Sequence, residues 1–120
     1  MNYRRADRVA DLLQFELSKI IRENMKDPRI GFVTITRVEV SDDLRHAKVY
    51  VSVLGQEKEK EDSLTGLNHA AGFTRSLLAG RVRLKRIPEL TYCYDDTLDY
   101  ALNIDKLLDG LENGRDIGGG

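Results

Sequence analysis

The segment from His46 to Val53 constrains the fold more tightly than any other stretch of the chain. Ala47, Val49, Val51 and Val53 alternate with His46, Lys48, Tyr50 and Ser52, so a strand here has one apolar face and one wet face. Such a strand belongs to a small antiparallel sheet covered on one side only, and the helices must supply the cover. The preceding run from Phe32 to Val40 is rich in β-branched residues, as a pleated, half-buried surface prefers. Its apolar phase switches between Ile35 and Val38, which predicts a bulge or sharp twist at Thr36-Arg37. Ser41-Asp42-Asp43-Leu44-Arg45 supplies the turn residues between the two strands.

The helices follow from periodicity. From about Arg4 to Met25, Ala6, Val9, Ala10, Leu13, Leu17, Ile20 and Ile21 fall in one arc of a helical wheel and form the expected core face. Arg4, Arg5, Arg8, Lys19, Arg22 and Lys26 fall nearly opposite, with Leu12 and Phe15 inside the cationic arc. Asp27-Pro28 ends this helix, because proline disfavours helical geometry in the residue before it. The charged segment 56–62 is a connection or the first turn of the next helix. Leu64, Leu67, Ala70, Ala71, Phe73, Leu77, Leu78, Val82 and Leu84 then recur at helical spacing, punctuated by Gly66, Gly72 and Gly80. This predicts two helices meeting at a kink near Ala70-Ala71-Gly72. Pro88 precedes a third strand, about Glu89 to Tyr94. A last helix is expected from Asp95-Asp96-Thr97, carrying Leu98, Leu102, Ile104, Leu108 and Leu111. The order is α-β-β-α-α-β-α, an α+β domain over residues 1–112 with a three-stranded sheet backed by helices, followed by a flexible tail at 113–120.

A chain of 120 residues is about one domain long. With 41% apolar and 32% charged residues, it reads as soluble and globular. No run approaches the roughly 20 apolar residues of a membrane helix, and the N-terminus enters charged helix with no apolar signal segment. A cytoplasmic protein is expected. The single cysteine, Cys93, excludes an internal disulfide and reads as a small core residue of the third strand. His46 and His69 have no metal-ligand or triad spacing, and no nucleotide-binding glycine motif is present. Asp42-Asp43 and Asp95-Asp96 suit turn and capping roles better than a carboxylate dyad. Neither an enzyme nor a cofactor is expected.

The net charge of −1 conceals a segregation. Between Leu67 and Pro88 stand Arg75, Arg81, Arg83, Lys85 and Arg86, with no acid; between Glu89 and Asn113 only Lys106 opposes seven acids. A neutral chain can therefore present a basic face. The cations of the first helix form either a solvated face or a phosphate-binding stripe whose apolar members pack on riboses or bases. The Arg75–Arg86 cluster has the same two readings, and phosphate binding is favoured. The kink could admit a sugar–phosphate chain, as the GXXG loop of KH domains does, or Gly72 could be a packing hinge.

These residues resemble a known family, bacterial ribosome-binding factor A. The resemblance is carried by Arg8-Val9-Ala10, the run from Asp27 to Thr36, Val38 to Leu44, Ala47 to Val53, Ala70 to Leu78, and Pro88 to Tyr92. It runs from about residue 4 to 111, with the motifs in order. It implies a KH-like fold in which an Ala-x-Gly kink, here Ala70-Ala71-Gly72, replaces the GXXG loop. It also implies a non-catalytic factor, linked to growth in the cold, that binds free 30S subunits rather than whole ribosomes. Such factors assist late 16S rRNA maturation near the neck of the subunit, around the 5′-terminal and 3′-minor-domain helices. An assembly GTPase partner is a further family expectation. The acidic final helix and glycine-ended tail depart from the family, leaving contacts through a longer C-terminal extension out of the expectation. The candidate RNA-binding residues are Arg4, Arg8, Lys19 and Arg22 on the first helix, Lys48 on the second strand, and Arg75, Arg81, Arg83, Lys85 and Arg86 beyond the kink. A monomer is expected. The alternative is a general single-stranded RNA-binding KH-type regulator, which the absent GXXG disfavours.

Overall fold

The computed structural model describes residues 3–25 and 27–97. Six elements follow in the order α1 (Arg5–Asn24), β1 (Val33–Val40), β2 (His46–Val53), α2 (Glu57–His69), α3 (Ala71–Ala79) and β3 (Glu89–Tyr94). The fold is α+β, as the periodicities predict, and its element order is that of the KH-like fold the resemblance implies. The expected last helix beyond Thr97 and the tail lie outside the described residues.

The sheet, in the order β1-β2-β3, is mixed rather than antiparallel as expected: β1 and β2 pair antiparallel, but the two helices between β2 and β3 carry the chain back, so β3 runs parallel to β2. The register shifts between Ile35 and Arg37, so the bulge falls where the apolar phase switches. Asp95 holds it from the far side of the sheet: its carboxylate accepts the Thr36 hydroxyl at 2.5 Å, while its own N–H donates to the carbonyl of Val51 at 2.8 Å. The hairpin turn is an ST-type loop. Ser41 Oγ donates to Asp43 at 2.7 Å and accepts the N–H groups of Arg45 and His46 at 3.2 and 3.1 Å. The turn forces Leu44 to a φ of 62°, a left-handed conformation costing a non-glycine residue roughly 1–2 kcal/mol. Leu44 offsets part of this by packing against the core.

The three described helices cover one face of the sheet. α1 lays its apolar arc on β1, and Leu13, Leu17 and Ile20 have no exposed surface at all. Each such side chain contributes about 1.5–3 kcal/mol on leaving water. The sheet answers with Ile35, Val38, Val40, Ala47, Val49, Val51, Val53, Leu90 and Tyr92. Two polar groups enter the core in register: Thr74 Oγ1 and the Tyr92 hydroxyl lie 3.0 Å apart, fully buried, and burial raises the Tyr92 pKa. The loop after α1 is fastened to α2 through Ser63, whose Oγ accepts the Gly31 N–H at 2.9 Å.

Three further expectations are corrected. The helix after the kink stops at Ala79, short of Val82 and Leu84, because Gly80 caps it and residues 80–88 run on as a loop. Phe73 leaves the core and is half exposed, since α3 turns Thr74 and Leu78 inward and puts Phe73 about 100° away. Cys93 is half-buried and belongs to the sheet face away from the helices, because Leu90 and Tyr92 take the inward positions of β3.

Candidate nucleic-acid interface

The outer face of α1 projects its cations from a rigid helix. Arg8 and Arg22 are exposed and have no carboxylate partner among the described residues. Lys19 sits 4.4 Å from the centre of the Phe15 ring, and Phe15 is itself 59% exposed. This pairs a cation with an open aromatic face, the combination that stacks on nucleic-acid bases. Arg4 differs. Its guanidinium binds Asp7 and Asp42, anchoring the start of α1 to the hairpin turn, so its charge is already opposed within the molecule. The Arg4 backbone N–H, donating to the Asp7 carboxylate at 2.9 Å, and then the Arg4 side chain lower the Asp7 pKa.

The second cluster divides as well. Arg75 forks its Nε and Nη2 onto the carbonyl of Ile87, at 3.1 and 2.7 Å, and so shapes the loop that follows α3. Arg81 reaches back to α1, 3.7 Å from Glu16 and 3.5 Å from Glu23. Arg83, Lys85 and Arg86 are exposed on the loop and unpaired among the described residues. The loop passes Glu23 and Glu16 at Arg81, and its Leu84, Lys85 and Arg86 then share a cavity with Arg5 and Val9. It therefore runs antiparallel to α1 and brings Lys85 and Arg86 to the cavity that Arg5 also lines. Lys48 stands apart. It lies on the uncovered face of the sheet, opposite Glu39 on β1, and shares no surface with the helix-borne cations.

At the kink, Ala70 is both the last cap of α2 and the first of α3, with φ −93° and ψ 9°. The ψ far from the helical value turns the chain without a GXXG. Gly72 has no positive φ, and a Cβ added there meets nothing within 4 Å. Gly72 therefore makes no close packing contact that its missing side chain would explain.

Sequence reasoning did not single out Arg5 or Arg45 as site residues. Arg5 carried no signal beyond its place on the cationic arc, and Arg45 looked like part of a turn. Only the closing of the hairpin turn on the α3–β3 loop brings them to one cavity.

Comparison with known proteins points to one family. The sequence model of the ribosome-binding factor A family matches residues 5–108. The ribosome-binding factor A of Desulfitobacterium hafniense is 52% identical over 108 residues, covering 90% of this chain and 86% of that protein. The crystal structure of ribosome-binding factor A from Thermus thermophilus superposes with a TM-score of 0.67 at 29% identity, over 74% of this chain and 93% of that one. A homology model of the Thermus thermophilus factor, fitted into the cryo-EM map of a 30S–RbfA complex, gives a TM-score of 0.61 at 30% identity, over 72% and 90% of the two chains.

Proposed function

The chain belongs to the ribosome-binding factor A family, and on that premise we propose that it is a non-catalytic factor of small-subunit assembly. In this reading one KH-like domain binds the free 30S subunit, not the whole ribosome, and assists late maturation of 16S rRNA near its 5′-terminal helix. The observation that carries the proposal is the family match over residues 5–108. The similar Thermus thermophilus factor, fitted into a 30S complex, supports the same partner.

The geometry suggests how binding works. Arg8 and Arg22 on α1 and Arg83, Lys85 and Arg86 on the adjoining loop carry charges that no described carboxylate opposes, so they are available to phosphates. Phe15 with Lys19 adds a surface on which an unpaired base stacks. Arg4, Arg75 and Arg81 act first within the fold, and their contribution to RNA is through the surfaces they hold in place. Binding favours an RNA arrangement that exposes this contact, and ends when mature packing, the large subunit or an assembly GTPase displaces it.

Sedimentation through a sucrose gradient at physiological salt tests the proposal. Comigration with free 30S particles, and absence from 70S particles, is the expected result. Protein that stays at the top of the gradient, or binds short unstructured RNA as tightly as subunits, overturns it; the second outcome favours a general KH-type regulator.

A further inference from the structure

We propose that the cavity between α1, the hairpin turn and the α3–β3 loop is a phosphate-binding subsite that grips one sugar–phosphate unit of an RNA strand. The inference rests on the RNA-binding reading above and assigns it a specific pocket, formed in part by residues outside the expected set.

Four cations converge there from three elements distant in sequence: Arg5 from the first turn of α1, Arg45 from the hairpin turn, and Lys85 and Arg86 from the loop after α3. Asp43 is the acid in the lining. Its carboxylate is already occupied, accepting the Ser41 hydroxyl at 2.7 Å and the Arg45 N–H at 3.1 Å, and it stands 4.0 Å from Arg45 Nε. The neighbouring Asp42 and Asp7 are taken up by Arg4. Arg5, Lys85 and Arg86 have no ion pair among the described residues. Like charges gathered around one cavity repel unless an anion sits between them, so the arrangement makes sense as a receptor for one.

The apolar part of the lining is Val9, which is buried, with Leu44 and Leu84, which are half-buried. A phosphate at the cationic rim would thus place its ribose on carbon rather than on another charge. The volume of about 230 Å³ falls below the roughly 300–1,000 Å³ of sites that engulf whole small ligands, and suits one unit of a passing strand. The strained φ of Leu44 fits the same picture. The turn holds an unfavourable backbone at Leu44, which packs against the core, and Leu44 and Arg45 both line the cavity.

The test compares the full chain with the Lys85→Gln/Arg86→Gln double variant and with Arg45→Gln in binding purified 30S subunits across a salt series. Lys58→Gln, a charge removed from the far helix α2, is the control. Lys85 and Arg86 make no ion pair among the described residues, and circular dichroism verifies the fold. Each lost phosphate contact should weaken binding about four- to sixfold at physiological salt and flatten the log–log salt slope by roughly 0.7–0.9. The double variant should therefore lose about 15- to 30-fold, with Lys58→Gln unchanged. Double-variant binding at wild-type affinity and slope overturns the pocket while leaving the 30S reading intact. Weakened binding with an unaltered slope also overturns it, by pointing to a protein contact. Failure of the wild-type chain to bind subunits overturns the 30S reading itself, and the pocket with it.

Discussion

The side-chain amide of Asn68 makes both hydrogen bonds of an absent strand to the backbone of Tyr92. Its Nδ2 donates to the Tyr92 carbonyl at 3.0 Å and its Oδ1 accepts the Tyr92 N–H at 2.8 Å. β3 is an edge strand, and this clamp occupies the edge where another chain could pair. It also fixes the last turn of α2, two residues before the kink, to the sheet.

Replacing Asn68 with leucine leaves two partly buried backbone groups unpaired. The expected loss is about 1–3 kcal/mol in urea unfolding, with increased aggregation on heating. An unchanged midpoint would show that water replaces the clamp without cost.

Gly66 and Gly72 should respond in opposite ways to alanine. At Gly66 a Cβ comes within 2.8 Å of Ile30 Cγ1, so Gly66→Ala forces α2 off the loop after α1, at about 1–3 kcal/mol. At Gly72 a Cβ enters open space within a helix, and Gly72→Ala should be neutral or stabilise by about 0.5–1 kcal/mol. If Gly72→Ala keeps its stability but loses affinity for the subunit, the glycine serves the contact rather than the fold. Thermal unfolding beside subunit binding separates the two.

Acid should weaken the sheet at a defined place. The Thr36 hydroxyl, then the N–H and side chain of Thr97, hold the Asp95 carboxyl down at about 2, against 3.8 ordinarily. A group whose folded pKa is lowered contributes stability above its unfolded value and loses it as pH falls through the folded one. The stability gap between wild type and Asp95→Asn should therefore be full above pH 4 and shrink towards pH 2. A gap constant over that range would assign the contribution to hydrogen bonding alone. Asp27, held at about 2 chiefly by the Arg29 side chain, titrates in the same window in both proteins and cancels from the difference.

Arg81 and Arg8 should separate stability from binding. Arg81→Met removes the bridge to Glu16 and Glu23 and should lower stability by up to about 1 kcal/mol, since the guanidinium is partly exposed. Arg8→Gln should leave stability unchanged and weaken subunit binding about four- to sixfold at physiological salt. Chemical denaturation and a salt-dependent binding series, run on both variants, check the contrast.

Much of the fold was legible because local periodicity coincides with burial. The apolar arc of α1 is the buried arc, residue for residue, and the alternation from His46 to Val53 is the alternation of burial along β2. The bulge was legible because a period-two pattern cannot change phase without an extra residue. The end of α3 was not, because Val82 and Leu84 keep helical spacing while they pack from a loop; spacing reports which side chains go inward, not the backbone that carries them.

Composition and spacing alone determined that this chain builds a one-faced sheet under helices and gathers cations on α1 and beyond the kink. Those properties depend on neighbours a few residues apart, whose relation is set by the helical and pleated repeats. Tertiary structure alone decided which cations remain free. Arg81 meets Glu16 and Glu23, and Arg4 meets Asp42, across loops closed by the core, while Arg5, Arg45, Lys85 and Arg86 converge for the same reason. Charge along a chain is additive, but its neutralisation depends on distances of a few ångströms, and only the packed core sets those.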